Sequence, residues 1–148
     1  MATEEIVIET RLGKRAVSLD KVLSFPRGLI GYEDQRRFTL LTLRDDSPFL
    51  ILQSLDAPQL GLLVADPYTF LPDYEVHLSS PEQKILQVTD PKGTAVLVTV
   101  SIPAGQPEKT ALNLTGPIVI NYESRIGLQV PQVDVNSPSH FFLHADPE

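Results

Sequence analysis

The sequence contains no cysteine and no tryptophan, and it has only three histidines. Without cysteine, disulfide bonds, thiolate zinc sites and cysteine nucleophiles are excluded. The same absence fits a reducing compartment better than a secreted protein. No apolar run approaches the roughly 20 residues that a transmembrane helix needs, and the N-terminus MATEEIVIET lacks the basic and apolar regions of a signal peptide. We therefore expect a soluble, cytoplasmic protein that contacts no membrane.

Basic side chains are nearly absent from the middle third of the 148-residue chain. Residues 45–91 contain eight acidic side chains and one lysine, whereas residues 1–44 carry a net charge of +2 and residues 92–148 one of −2. The excess behind the net charge of −7 therefore lies in one stretch. Ordinary solvation of a surface explains such a stretch, and so does an acidic face that attracts a basic partner.

The residues that usually carry catalysis or bind metals form no recognisable site. His140 and His144 have the spacing of two ligands on one helix face, but their surroundings, SPSHFFLHADPE, disfavour a helix. Asp66, Asp73 and Glu75 could act as paired carboxylates only if burial or a like charge separated their pKa values, and their neighbours favour exposure. The sequence also has no G-x-S-x-G or Walker motif. We expect a non-enzymatic protein without cofactor or metal.

Direct binding of nucleic acid is also disfavoured. It needs clustered Lys and Arg to neutralise phosphates and exposed aromatic side chains to stack on bases, whereas this chain is acidic. The one Gly-x-x-Gly motif encloses Leu29 and Ile30, although nucleic-acid clamps usually have polar or basic residues there. The motif instead predicts a tight loop whose apolar tip, Leu29 and Ile30, points inward.

Short runs of β-branched and aliphatic residues recur about every ten residues, separated by turn residues. Nine runs are predicted as strands, at residues 6–8, 17–23, 38–43, 49–55, 60–65, 74–78, 95–102, 110–114 and 117–121. This spacing is typical of a sandwich or a closed barrel. Two segments are predicted as short helices, one at 80–88 and a single turn at 32–37. In the first, Ser80 is the predicted cap, followed by Pro81 and, at the third position, Gln83.

The sequence thus predicts an all-β fold, mainly β with one or two short helices, in a compact β-barrel-like single domain. The domain is expected to span residues 1–148, with residues 138–148 held least firmly. Because no long apolar stripe is evident, we expect the free protein to be a monomer.

Four sequence blocks follow one another over most of the chain. They are FPRGLIGYE at 25–33, PF and LQS within 48–54, LVADP with PDYE within 63–75, and NLTGPIVIN at 113–121. The first is similar to F-x-x-G-[IL]-x-G-[FY]-E and the last to N-L-x-[AG]-P-I-x-[IV]-N. In this order the blocks resemble those of the FliW family of flagellar assembly factors, whose fold is a compact β-barrel-like domain.

The blocks supply two sets of candidate residues. Glycine adopts backbone angles that other residues resist, proline restricts the residue before it, and aromatic side chains fill cores. On these grounds the residues predicted to determine the fold are Phe25, Gly28, Gly31, Pro67 and Pro117. The residues that remain as candidates for a protein-binding surface are Asp66, Asp73, Glu75, Asn113 and Asn121.

The resemblance implies a non-enzymatic, partner-switching role. Proteins of the family bind flagellin and the small basic post-transcriptional regulator CsrA, and by sequestering CsrA they relieve its repression of flagellin translation. Flagellin bound to the same factor frees CsrA. Because CsrA presents basic RNA-binding edges, we expect Asp66, Asp73 and Glu75 on or near the surface that faces it. After Gln129 the sequence departs from the family, since it has Pro131 and no Lys or Arg beyond Arg125.

Two other functions stay open from the sequence alone. One is a small β-barrel that binds a ligand, or an orphan enzyme with an acidic pocket, which converging acids and His77 in a deep pocket would favour. The other is a nucleic-acid-binding barrel, which a basic groove lined by Tyr32, Tyr68 or Phe70 would favour.

Overall fold

The computed structural model describes residues 4–10, 12–42, 47–88, 94–102, 104–106, 109–132 and 140–143. Eleven strands and one α-helix lie in these ranges. The strands are β1 (Glu5–Thr10), β2 (Gly13–Ser18), β3 (Leu23–Ser24), β4 (Arg37–Thr42), β5 (Phe49–Ser54), β6 (Gly61–Ala65), β7 (Ala95–Ser101), β8 (Ala111–Asn113), β9 (Ile118–Asn121), β10 (Ile126–Gln129) and β11 (His140–Phe142). The helix α1 (Ser80–Leu86) lies between β6 and β7. No helix in the described ranges is long and apolar enough to cross a bilayer.

Seven of the strands close into a barrel, and β1 and β2 form a separate two-stranded hairpin. Around the barrel the order is β7-β6-β5-β4-β3-β10-β9, and β9 pairs again with β7. The pairing of β3 with β10 is parallel, through Ser24 and Ile126, whereas the other barrel pairings are antiparallel. The prediction of a mainly β, barrel-like fold is confirmed.

Strand β7 is shared between the barrel and a three-stranded extension. Its first half pairs with β9, ending at Leu97 opposite Ile118, and its end pairs with β8, beginning at Val100 opposite Leu112. Between these pairs β7 has two residues, whereas the opposing chain has five, residues 113–117. The opposing chain therefore forms a β-bulge, which bends it away from the barrel so that β8 pairs onward with β11.

The barrel interior is filled by side chains from most of its strands. Its largest fully buried aromatic side chains are Phe25 and Phe38, whose ring centroids lie 5.1 Å apart in an edge-to-face arrangement. The apolar residues buried with them are Leu23, Leu29, Leu52, Val64, Leu97, Ile118 and Ile120. Burial of such side chains contributes roughly 1.5–3 kcal/mol each, so this cluster is a main source of stability.

Two of the nine predicted strands are wrong. Residues 17–23 are split, because β2 ends at Ser18 and a 3-10 turn at Leu19–Lys21 precedes β3. Residues 74–78 belong to no strand. Their alternating pattern is real, since Val76 and Leu78 pack against a buried cluster, but the backbone N–H of His77 donates to the side chain of Gln132 rather than to a sheet.

The helix predictions are also corrected. Residues 32–37 form turns rather than a helical turn, and β4 already begins at Arg37. Helix α1 is capped by Ser79, one residue before the predicted cap. Glu82, three residues later, completes a capping box, because Ser79 Oγ accepts from Glu82 N and Glu82 Oε1 accepts from Ser79 N. The helix ends at Leu86, which is fully buried, before Gln87 in the left-handed region.

Strands β10 and β11 were not predicted. The pattern of β10 is broken by Gly127, where any Cβ would overlap the ring of Phe25. Strand β11 lies within the predicted loosely held tail and pairs with β8, Phe141 opposite Leu112. The rest of that tail, residues 138–139 and 144–148 with His144, lies outside the described residues.

Candidate functional site

The first sequence block forms a tight loop, residues 28–32, which we term the signature loop. Gly28 and Gly31 have φ angles of +62° and +89°, and a Cβ on Gly28 would lie 2.6 Å from the carbonyl oxygen of Tyr32. Leu29 and Tyr32 exchange two backbone hydrogen bonds across the turn. The turn therefore directs Leu29 into the core, whereas Ile30 is 60% exposed. The prediction that the whole tip points inward is wrong for Ile30.

The last sequence block forms the bulge, residues 113–117. Pro117 is buried, and so is Leu114, which packs with Val98 and Leu112. Asn113 is half-buried, and its Nδ2 donates to Thr99 Oγ1 at 2.9 Å and to Ser101 Oγ at 3.1 Å. In the bulge, the apolar side chains of Leu114 and Pro117 are therefore buried, and two hydrogen bonds fix the side-chain amide of Asn113.

Gln129 joins the signature loop to the bulge. Its Oε1 accepts a hydrogen bond of 2.8 Å from Ile30 N, and its Nε2 donates one of 2.9 Å to Gly116 O. Because one side chain satisfies both backbone groups, it fixes the separation of the two segments. The sequence analysis did not identify Gln129, whose partner Ile30 lies 99 residues away in the chain.

An open cavity of about 490 Å³ lies between the signature loop and the bulge. Its walls also include residues 99–101 of β7 and the side chains of Gln129 and Gln132. Ile30 and Tyr32, 60% and 41% exposed, stand at its edge. None of the described residues that line it is charged, and none is a histidine. We call this cavity the neutral groove.

The acidic candidates Asp66, Asp73 and Glu75 are all exposed and lie on the chain that connects β6 to α1. Asp66 Oδ1 accepts from Tyr68 N and caps a 3-10 turn at Pro67–Thr69, in which Pro67 is buried. Burial raises the pKa of the Tyr68 hydroxyl, and the nearby charges of Asp66 and Glu75 raise it further. The negative charges of Asp66 and Glu75 therefore both reach the hydroxyl of Tyr68. We call residues 66–77 the acidic segment.

The acidic segment is tied to the bulge by two contacts. The Tyr74 hydroxyl donates to Leu114 O at 2.7 Å. Gln132 accepts from His77 N at 2.9 Å and donates to His77 O at 3.2 Å, while its own backbone N–H donates to Thr115 O. Hydrogen bonds from the side chains of Tyr74 and Gln132, rather than strand pairing, thus attach the acidic segment to the bulge. His77 itself is exposed and lies 3.9 Å from the carboxylate of Glu75.

Asn121 does not lie on a contact surface. It is only 6% exposed, and its Nδ2 donates to the carbonyl of Leu86 at the end of α1 while its Oδ1 accepts from Glu123 N. The side chain therefore ends the helix and shapes the turn before β10. The interpretation of Asn121 as a partner contact is corrected, since its polar atoms are used inside the protein.

The geometry does not favour the two rival functions. The described residues that line the neutral groove include no carboxylate and not His77, both of which an acidic catalytic pocket would need. Tyr32 does line the groove, but none of its described neighbours there is a basic side chain of the kind that a nucleic-acid site needs. In the described part of the chain, no group of three or more His, Asp and Glu side chains could hold a metal ion.

Comparison with known proteins points to a single family. Residues 6–143 match the family model described as FliW protein. The chain is 62% identical over 142 residues to the flagellar assembly factor FliW of Nitratidesulfovibrio vulgaris, covering 96% of this chain and 82% of that protein. It is 52% identical over 144 residues to the protein of the same name from Desulfovibrio desulfuricans, covering 96% and 86%.

The fold comparison agrees with the sequence comparison. A crystal structure of the flagellar assembly factor FliW superposes with a TM-score of 0.86 at 30% sequence identity, covering 98% of this chain and all of that chain. The match therefore includes the closed barrel together with its extension. On the family model, the identities and the fold, the chain belongs to the FliW family.

Proposed function

We propose that this protein is a cytoplasmic, non-enzymatic flagellar assembly factor that binds flagellin and the translational regulator CsrA in exchange for one another. Membership of the FliW family supports a role in flagellar assembly, as do the names of its relatives. Binding of CsrA relieves repression of flagellin translation, and binding of flagellin releases CsrA.

The exposed acidic segment is the observation that carries the proposal. Asp66, Asp73 and Glu75 are all exposed, and no Lys or Arg occurs between residues 45 and 83 to neutralise them. A basic partner such as CsrA gains attraction from such a surface over about a Debye length of roughly 10 Å at 0.1 M salt. In the described part of the chain, no Lys or Arg lies within salt-bridge distance of these three carboxylates, so a cation on another molecule could complement them.

The test is titration calorimetry of CsrA binding to the full chain and to Asp73→Lys/Glu75→Lys. Asp66 is left unchanged because its side chain caps the 3-10 turn. The matched control is Glu4→Lys/Glu5→Lys, which makes the same charge change at exposed positions at the start of the β1–β2 hairpin.

We expect the double reversal in the acidic segment to weaken CsrA binding about tenfold or more at about 50 mM NaCl and to flatten its salt dependence. The control should change affinity by less than about threefold. Equal affinity and equal salt dependence in all three proteins would exclude the acidic segment as the CsrA-facing surface. Absence of binding by the unchanged protein would overturn the role of CsrA itself.

A further inference from the structure

The chain just before α1 has the alternation of a strand but pairs with no strand in the described part of the chain. We call residues 73–78 the strand-like stretch. Its half-buried side chains are Tyr74, Val76 and Leu78, and its exposed side chains are Asp73, Glu75 and His77. Two of the exposed side chains are carboxylates of the acidic segment. Whatever holds this stretch in place therefore also fixes the positions of those carboxylates.

The side chain of Gln132 takes the place of a paired strand at a single residue. Its Oε1 accepts from His77 N at 2.9 Å, and its Nε2 donates to His77 O at 3.2 Å. A residue in an antiparallel pair makes the same exchange with the residue opposite. Nε2 also donates to Val130 O at 2.9 Å, so the amide is held in one orientation. A strand would repeat the exchange at every second residue, whereas this side chain makes it only once.

The second contact that holds the stretch is the hydrogen bond of 2.7 Å from the Tyr74 hydroxyl to Leu114 O. Leu114 belongs to the bulge, and the backbone N–H of Gln132 donates to Thr115 O, which also belongs to it. Both contacts therefore attach the strand-like stretch to the bulge and not to the paired strands of the barrel.

Release of the strand-like stretch disrupts much less of the structure than unfolding of the barrel. It breaks the hydrogen bonds of one phenol and one amide and exposes three half-buried side chains. Unfolding of the barrel instead breaks a closed ring of strand pairings and exposes a fully buried core. Regions with few buried contacts open at a lower free energy than core strands do. The stretch is thus suited to open by itself.

We propose that the strand-like stretch opens and closes as one unit while the barrel stays folded, and that Gln132 and Tyr74 hold it closed. Only the closed form keeps the carboxylates of Asp73 and Glu75 at one separation. A basic partner that recognises both charges therefore binds the closed form and suppresses opening. This last step rests on the function proposed above, whereas the opening itself does not.

The experiment is amide hydrogen exchange of the full chain, resolved by NMR, in which each variant is followed at the contact that it leaves intact. Gln132→Ala is followed at Tyr74 N–H, which donates to Leu71 O. Tyr74→Phe is followed at His77 N–H, which donates to Gln132. We call these two groups the reporter amides. The NMR spectrum of each variant also shows whether it is folded.

Two control variants separate opening of the stretch from opening of the barrel. Gln59→Ala makes the same change as Gln132→Ala at an exposed turn between β5 and β6, where no hydrogen bond of the Gln59 side chain is found among the described residues. Ile120→Val removes one methylene group from a side chain that is fully buried in the barrel.

We expect Gln132→Ala to speed exchange at Tyr74 N–H about tenfold or more, and Tyr74→Phe to speed it at His77 N–H about threefold or more. Gln59→Ala should leave both reporter amides within about twofold. Ile120→Val should speed exchange in β5, which opens with the barrel, about threefold or more. It should leave the reporter amides within about twofold, because they exchange without unfolding of the barrel.

Two results would overturn the inference. If Ile120→Val speeds exchange at the reporter amides as much as in β5, the stretch opens only when the barrel unfolds. If Gln132→Ala leaves exchange at Tyr74 N–H unchanged, the two contacts do not hold a single unit.

Addition of CsrA tests the link to the proposed function. CsrA at a free concentration of about ten times its Kd should slow exchange at the reporter amides of the unchanged protein about tenfold, because it binds only the closed form. If CsrA binds but exchange stays the same, recognition does not require closing, and the proposed function stands without this step. If CsrA does not bind, the proposed function and this step fail together, while the four variants alone decide whether the stretch opens as a unit.

Discussion

Gln129 and Gly116 are matched in size as well as by hydrogen bonding. Gln129 Nε2 donates to Gly116 O at 2.9 Å, and a Cβ added to Gly116 would also lie 2.9 Å from that nitrogen. Glycine at 116 therefore leaves the space through which the glutamine amide reaches the bulge.

We expect Gln129→Ala to lower the free energy of unfolding by about 1–2 kcal/mol, because it removes two hydrogen bonds. Gly116→Ala should lower it by about 1 kcal/mol by displacing the Gln129 amide. The double variant should lose less than the sum of the two, since the alanine methyl group then has room. Urea unfolding of the four proteins measures this coupling, and simple additivity would show that the two residues do not interact.

Gly127 is expected to tolerate no side chain. A Cβ there would overlap the ring of Phe25, which is fully buried in the barrel. Gly127→Ala should lower the free energy of unfolding by about 3 kcal/mol or more. Adding Phe25→Leu, which removes most of the ring, should make the effect of the alanine smaller. If Gly127→Ala costs the same in both backgrounds, the barrel relieves the overlap elsewhere.

Asn121 should affect stability rather than binding. Asn121→Ala removes the 2.8 Å donor to the carbonyl of Leu86, which keeps a 3.2 Å hydrogen bond from Ser124 Oγ, and it removes the acceptor of Glu123 N. We therefore expect a loss of about 1–2 kcal/mol in the free energy of unfolding. Affinity for CsrA and flagellin, measured well below the unfolding temperature, should be unchanged. Reduced affinity with unchanged stability would instead restore Asn121 as a contact residue.

Tyr74 should make the protein sensitive to alkaline pH. Burial raises the pKa of its hydroxyl to about 12, above the value of about 10 in an unfolded chain. The folded state therefore binds the phenolic proton more tightly, so the stabilisation is complete below about pH 10 and is lost as the pH rises towards 12. The half-buried site limits this contribution to about 1 kcal/mol.

The comparison that isolates this effect is the unchanged protein against Tyr74→Phe, unfolded in urea at several values between about pH 8.5 and pH 11.5. The variant should be less stable by about 1 kcal/mol near neutral pH because the bond to Leu114 O is lost. The difference should shrink as the pH rises. Tyr122, whose pKa is also raised by burial, titrates in both proteins and cancels. Tyr68 does not cancel fully, because its charge adds to the burial that raises the pKa of Tyr74. A constant difference would show that Tyr74 does not titrate abnormally.

The barrel could be predicted because its strands carry their own signal. In β4, β5 and β6, β-branched and aliphatic residues are bounded by turns, and all three strands were found close to their predicted limits. Residues 74–78 have the same local signal but pair with no strand in the described part of the chain. A strand forms only when a second strand pairs with it. The local sequence cannot show that the Tyr74 hydroxyl instead donates to the carbonyl of Leu114, 40 residues away.

The candidate surfaces were predictable in part. The exposure of the acidic residues could be predicted because unpaired Asp and Glu side chains are almost never buried in a protein core. The neutral groove was missed, because glutamine is common on surfaces and nothing in the sequence near Gln129 indicates a partner such as Ile30. Asparagine is ambiguous for the same reason, since Asn113 lines the groove and Asn121 is buried.

The parallel pairing of β3 with β10 has a consequence for how the molecule folds. The hairpins from β4 to β6 join residues that are close in sequence and can form early, whereas Ser24 and Ile126 must meet across most of the chain. Closing the barrel through this pair therefore costs the largest loss of chain entropy, and we expect it to occur late in folding. Until it happens, β3 and β10 present unpaired edges, so a newly made chain is most open to aggregation just before its barrel closes.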